Sequence, residues 1–451
     1  RLIVSDTKAI AHILQDVTNY KKPPSLQYHL TRMVGSGVLV VEGEQHRKQR
    51  RIMNPAFGNL YVKELSPVFM EKSLELRDIW AQECASRSDG IYRTDAVTWL
   101  SKLTLDIIGR AGFNYDFHAM EPHAEHDELQ EAFSTIFGAG SAVFRILQGH
   151  VPLLRLVPTQ AQRAITKAKK TMNDIAGRLL AEAKQIQSAT GEKLWDARDM
   201  LSLLVRSNTS PEVPENQRMS DEEVMSQIPT FFVAGHETTA TALAWMLFAL
   251  TRAPHVQQKL RNELLSVPTS TPSFDELNAL PYLDAVVRET LRLHSPVTTT
   301  SRISTQDDIL PLSKPITDRK GNVHDSIAVG KGTQISIPIL AMNVDPEIWG
   351  EDADEFKPER WENLPTAVSS LPGVWGNMMS FLGGARACIG YRFSLAETKA
   401  IVFTLVRAFE FELAVRHEDI ISRSYVVQRP YLASDLDTAQ LPVIIRPVSG
   451  S

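Results

Sequence analysis

The chain has 451 residues, 43% hydrophobic and 22% charged, with a formal net charge of −5. That composition suits an ordinary globular protein with a large core and argues against broad nucleic-acid binding. Only two cysteines occur, Cys84 and Cys388, which excludes a disulfide framework. The length would accommodate about three domains, but no Gly/Ser-rich or Pro-rich linker and no internal repeat divides the chain.

Arg1-Leu-Ile-Val-Ser reads as a strand. Asp6 can cap a helix reaching Asp16, with Ile10, Ile13 and Leu14 on one face. Lys21-Lys-Pro-Pro24 ends that order, and residues 26–41 read as a mixed apolar segment or surface loop. Residues 42–57 carry the basic cluster His46-Arg-Lys-Gln-Arg50-Arg51, a pattern that is usually a solvated helix face. Residues 65–84, 94–112 and 159–189 show helical periodicity. Residues 133–154 are rich in Phe, Gly and Val, and residues 206–218 read as an exposed loop.

Ile228 to Leu250 is nearly continuous apolar sequence, long enough to span a membrane. His236, Glu237 and several threonines interrupt it, and a bilayer makes such groups costly. A helix buried through the centre of a large domain fits better. Pro281 to Pro296 reads as a helix bracketed by prolines, with Glu289 and Arg292 on one face at i, i+3. Short strand-like runs follow at 334–341 and 442–445.

The loop Phe381-Leu-Gly-Gly-Ala-Arg-Ala-Cys-Ile-Gly390 places Cys388 just before an apolar helix starting at Tyr391. Unpaired N–H groups and the helix dipole at such a position favour the thiolate and lower the cysteine pKa. Gly384 and Gly390 permit the close approach of a flat, bulky ligand. A lone cysteine is commonly a small buried hydrophobe, but this setting prepares Cys388 as a soft metal ligand.

The spacing Phe-x-x-Gly-x-Arg-x-Cys-x-Gly resembles the haem-binding loop of the cytochrome P-450 superfamily, the haem-thiolate monooxygenases. Ala234-Gly-His-Glu-Thr238 resembles that family's Ala/Gly-Gly-x-Asp/Glu-Thr signature. Glu289-x-x-Arg292, with Arg360 in Phe356-Lys-Pro-Glu-Arg-Trp361, resembles its Glu-x-x-Arg and third partner. His46-x-x-x-Arg50 matches its Trp-x-x-x-Arg pattern at Arg50 and departs from it at His46. The resemblance extends over essentially the whole chain and is closest to fungal microsomal members.

The resemblance implies a mainly α fold, a large helical body with a small β-rich side region, forming a single domain over residues 1–451. It implies haem b (iron protoporphyrin IX) with Cys388 as axial thiolate, Phe381 packed beside it, and Gly384 and Gly390 shaping the loop. Arg386, Arg50, Arg302 and His46 become propionate partners. Ala234 lies in a small-residue break of the central helix that leaves room for dioxygen and water. Thr238 holds that water while Glu237 relays protons. Glu289, Arg292 and Arg360 serve folding and haem retention.

Phe231, Val297 and Thr299 are candidate substrate contacts, and Phe133, Phe137 and Phe144 candidate roof residues. The implied reaction inserts one oxygen atom into an apolar substrate, with electrons from NADPH through a separate NADPH-cytochrome P-450 reductase and possible help from cytochrome b5. Arg47, Lys48 and Arg51 would suit docking of an acidic electron donor. A monomer on the cytosolic face of the endoplasmic reticulum membrane is implied, tethered by an N-terminal anchor segment that precedes Arg1 together with a first strand. Two other readings stand beside it: a haem-thiolate isomerase or dehydratase acting on hydroperoxides, which the Glu237-Thr238 pair counts against, and a non-catalytic haem sensor.

Overall fold

The computed structural model describes residues 1–121, 160–190, 199–424 and 426–448. The candidate roof residues Phe133, Phe137 and Phe144 lie outside them. Seven helices position the site: α1 (Thr7–Gln15), α2 (Gly43–Met53), α3 (Asn59–Ala85), α4 (Ala96–Phe113), α5 (Gln227–Arg252), α6 (Pro281–Leu293) and α7 (Tyr391–Ala408). The architecture is mainly α, as expected, with small sheets at its side.

The helix ends follow from their sequences. The Asp6 carboxylate accepts from Lys8 N (3.0 Å) and Ala9 N (2.9 Å), and Asp95 does the same for Val97 N and Thr98 N at the start of α4. Pro281 opens α6, where a missing N–H costs nothing. The Glu263 carboxylate takes up two of the remaining orphan donors, Tyr282 N at 2.8 Å and Leu283 N at 2.7 Å.

Helix α5 is buried on nearly every side, which its continuous apolar run requires. Its closest neighbour is α4. A Cβ at Gly235 would meet the Ile108 side chain at 3.1 Å, so glycine there sets the approach of the two helices. Helices α3 and α7 pack through Phe69 against Phe393 (ring centroids 4.9 Å apart, edge to face), with Trp80 against Phe409 and Phe411 continuing the same core. Among the described residues no helix is long and apolar enough to cross a membrane.

A four-stranded sheet carries one wall of the site. Its strands are β1 (Leu2–Ile3), β2 (Tyr20–Lys21), β3 (Thr300–Ser304) and β4 (Gln334–Ile337), in the order β1-β4-β3-β2. β1 runs parallel to β4 and the other pairs are antiparallel, with Arg302 opposite Ile335. Another sheet contains the strand Gln428–Leu432, paired with Ile420–Ser424 and Asp435–Ala439.

Three local expectations change. Lys21-Lys-Pro-Pro24 does not end order: it leads from β2 into a helix, Pro24–Val34, that begins on the second proline, and much of the expected 26–41 loop is that helix. The exposed loop expected from residue 206 begins only after Thr209, where a helix from Met200 ends. The central helix is continuous from Gln227 to Arg252 rather than broken at Ala234–Gly235. The Thr238 hydroxyl donates to Ala234 O at 2.7 Å, a back-bond made without interrupting the helix.

Candidate haem-thiolate site

Cys388 sits in a loop tied back on itself. Its own N–H donates to Phe381 O at 2.9 Å, and Phe381 packs edge-on to Trp375, ring centroids 5.8 Å apart. Gly384 adopts φ +68°, a conformation L side chains rarely take, and a Cβ there would lie 2.5 Å from Leu14 O. Glycine thus lets the loop press against α1. Gly390 stands immediately before α7, facing the Phe57 ring.

The Cys388 side chain is accessible to a water-sized sphere, yet it lies deep among protein atoms. The two facts agree for a residue lining an interior recess. Ala234 is likewise exposed in the middle of the otherwise buried α5. The thiol differs from expectation in one respect. Burial pushes its pKa above the ordinary value, outweighing the Gly390 N–H and the Arg50 guanidinium, which favour the anion. Helix-terminal donors alone do not hold a desolvated thiolate here; a coordinated metal cation would.

Arg50 of α2 reaches the loop and donates to Ala387 O. Arg386 donates to Val41 O at 2.8 Å and pairs with the Glu42 carboxylate. Arg302, buried in β3, donates to Ser301 O at 2.8 Å, and burial pulls its pKa down to about 10. Lys22, which sequence reasoning passed over, joins them at 3.3 Å from Glu42, its pKa lowered to about 8 by burial and by Arg386. His46 is buried beside them, its pKa pushed to about 3 by burial first, then by Arg386, Lys22 and Arg50.

Among the described residues, then, four cationic side chains gather beside the cysteine loop, where Lys22 and Arg386 share the carboxylate of Glu42 and Arg50 and Arg302 bond only to neutral groups. Buried charge so unevenly matched is costly. A haem held by Cys388 would supply the missing anions through its two propionates. The residues present therefore fit that group: Cys388 to hold the metal, and Lys22, Arg50, Arg302 and Arg386 to hold the carboxylates. The neutral His46 is a donor at most.

The expected supporting triad is fully buried. Glu289 accepts from Arg292 Nε (2.9 Å) and Nη2 (2.8 Å) and from Arg360 Nε (3.3 Å). Two donors that the motif did not reveal complete it: Lys357 N at 3.0 Å and Trp361 Nε1 at 3.1 Å. Arg292 also donates to Asn343 O at 2.9 Å. The Asn343 side chain accepts from Met379 N and donates to Ser380 Oγ, each at 2.8 Å, at the threshold of the cysteine loop.

On α5, Glu237 lies between His236 and Arg429. Its Oε1 is 3.3 Å from His236 Nε2, and its Oε2 pairs with Arg429 of the strand Gln428–Leu432. Burial raises the carboxyl pKa, but His236 and Arg429 together outweigh it and hold the group below the usual range. The next residue along, Thr239, meets Ser394 of α7 at 3.1 Å, so α5 passes directly against the helix that follows Cys388. Of the candidate substrate contacts, Phe231 packs within the Phe57, Phe113 and Phe232 cluster, Val297 is half-buried, and Thr299 is exposed with its hydroxyl 3.1 Å from Ile337 O.

The cytochrome P450 family model matches residues 1–434. A cytochrome P450 monooxygenase (205) of Postia placenta is 52% identical over 456 residues, covering 99% of this chain and 84% of that protein. A second from the same fungus (128) is 48% identical over 458 residues with the same coverage. The monooxygenase claQ of Ampulloclitocybe clavipes is 36% identical over 467 residues, again 99% and 84%. A cysteine loop backed by a buried Glu–Arg–Arg lock, a cation cluster short of carboxylates and an acid beside an alcohol on the central helix all meet in one chain with these relatives, and it belongs to the cytochrome P450 family, a monooxygenase whose haem is held by a cysteine thiolate.

Proposed function

We propose that the chain, as a single domain, inserts one atom of dioxygen into an apolar organic substrate, drawing electrons from NADPH through a separate reductase. When bound, the haem supplies the iron at which dioxygen is reduced, with a thiolate ligand that favours O–O cleavage. The observation that carries the reading is the setting of Glu237: a carboxylate held between His236 and Arg429 and followed directly by Thr238, on the helix that crosses α7. Such a pair can hold a water and move protons to a reacting oxygen. Lys22, Arg50, Arg302 and Arg386 orient the cofactor, and Cys388 fixes its metal.

Thr238→Ala keeps haem and substrate binding but sends electrons to hydrogen peroxide instead of product. The check is peroxide formed per NADPH consumed in the presence of reductase; unchanged product yield per NADPH would remove Thr238 from the proton path. Substrate class is found by following the haem Soret band across fatty acids, terpenoids and polycyclic aromatics. Turnover that depends on O₂ and NADPH, and not on added hydroperoxide, separates this reading from an isomerase and from a sensor.

The donor side of α2 supports docking of an acidic partner, the reductase first and cytochrome b5 second. Lys48 is tied to Glu223 at 2.6 Å and Arg51 to Gln217, while the Arg47 side chain stays 63% exposed beside Glu44. Arg47→Glu therefore raises the KM for reductase, most at low ionic strength. Kinetics and salt dependence equal to those of the parent protein would exclude this face. Family members are commonly membrane-associated, and the reading places this one, as a monomer, on the cytosolic face of the endoplasmic reticulum membrane.

A further inference from the structure

The residue before Glu237 has so far only steadied its charge. His236 is buried, and both its ring nitrogens meet oxygen. Nδ1 lies 3.2 Å from Phe232 O, a pure acceptor. Nε2 lies 3.3 Å from Ser101 Oγ and 3.3 Å from Glu237 Oε1. Thr104 Oγ1 donates to His236 O at 3.2 Å and holds the backbone of that turn.

This environment suits two protonation states without moving the ring. As imidazolium, Nδ1–H donates to Phe232 O and Nε2–H to the Glu237 carboxylate. As neutral imidazole, Nδ1–H keeps the same bond while Nε2 accepts from the Ser101 hydroxyl or from a protonated Glu237. The other side of the carboxylate is closed to traffic. Arg429 holds Oε2, and a guanidinium does not give up its proton in a protein. Imidazole is the side chain that does so readily near neutral pH. Ser101, on α4, is half-buried rather than enclosed, and its hydroxyl reaches the same Nε2.

We infer that His236 is the proton donor to Glu237, and that Ser101, His236, Glu237 and Thr238 form the proton path, with Arg429 as a fixed clamp. One proton passes from Nε2 to Oε1, leaving neutral imidazole and a carboxylic acid. A proton taken from solvent through the Ser101 hydroxyl then restores the imidazolium. His236 and Arg429 are thus positioning residues that act through Glu237. The inference rests on the reading that Glu237 carries protons to Thr238.

The test compares the holoenzyme with Glu237→Gln, His236→Gln, Ser101→Ala and the His236→Gln/Glu237→Gln double variant. With reductase and a turned-over substrate, peroxide per NADPH and the solvent deuterium isotope effect are measured. Independently of turnover, infrared difference spectra follow the Glu237 carboxyl band with pH. Expected results are a several-fold rise in peroxide for both single variants at 236 and 237, a smaller rise with an enlarged isotope effect for Ser101→Ala, and a double variant no worse than Glu237→Gln. In His236→Gln the protonated Glu237 band appears at higher pH. If Glu237→Gln couples like the parent, the proton role of Glu237 itself falls. If Glu237→Gln uncouples and His236→Gln does not, only the donor role of His236 falls. Should His236→Gln lose its haem, Ser101→Ala decides, and parental coupling with a parental isotope effect overturns the path.

Discussion

Cys388→Ser yields protein that makes no product with NADPH and reductase and lacks the strongly red-shifted carbon monoxide band of a thiolate-ligated haem. The argument is one of ligand chemistry. A thiolate is soft, polarisable and readily deprotonated by a bound cation, whereas a serine hydroxyl keeps its proton and binds iron poorly. Loop geometry is unaffected, because the bond that closes it runs from the backbone N–H of residue 388 to Phe381 O at 2.9 Å. The cation cluster also remains, so Cys388→Ser can retain some haem while losing the thiolate signature. Cys84 cannot stand in. It is buried under the sheet strand Pro442–Pro447, its Sγ 3.7 Å from Ile445 O. Cys84→Ser is therefore the control and keeps the red-shifted band. A Cys388→Ser protein that shows that band at full strength would end the assignment of the metal ligand.

The sequence displayed those parts of the site that are contiguous or locally periodic. The cysteine loop, the acid–alcohol pair and Glu289-x-x-Arg292 each lie within a few residues, so their spacing alone carries geometry. Groups brought together only by folding left no such trace. Arg429 meets Glu237 from a strand nearly two hundred residues further along the chain. Lys22 and Glu42 join Arg386 across the β2 end of the small sheet, yet in sequence Lys22 looks like part of a lysine–proline break. Asn343, which links the triad to the loop, is an unremarkable polar residue until its two bonds near Ser380 are seen. The cysteine pKa also reads differently in three dimensions, because burial is a property of the whole surroundings and not of the helix that follows.

Glu289→Gln should destabilise the fold more than any change at an exposed ion pair and release haem with it. The carboxylate accepts from Arg292 twice, and from Arg360, Lys357 N and Trp361 Nε1, with no part of its side chain exposed. An amide offers one oxygen where the carboxylate offers two, and its NH₂ faces donors. Two guanidiniums then remain buried, although Arg360 keeps its pairing with Asp352. Breaking a buried pair from one side costs about 3–5 kcal/mol, a large share of the stability of any single domain. The loss reaches the cysteine loop because Arg292 also holds Asn343 O, and Asn343 holds Met379 N and Ser380 Oγ just before Phe381. Thermal unfolding and haem retained through purification are the measurements. Lys314→Ala, which breaks a pair whose side chains are 77% and 76% exposed, is the comparison and should leave both unchanged. A Glu289→Gln protein as stable and as haem-replete as the parent would show that the triad does not lock the loop, which α6 otherwise holds through the bond from Ser380 Oγ to Leu291 O at 2.6 Å.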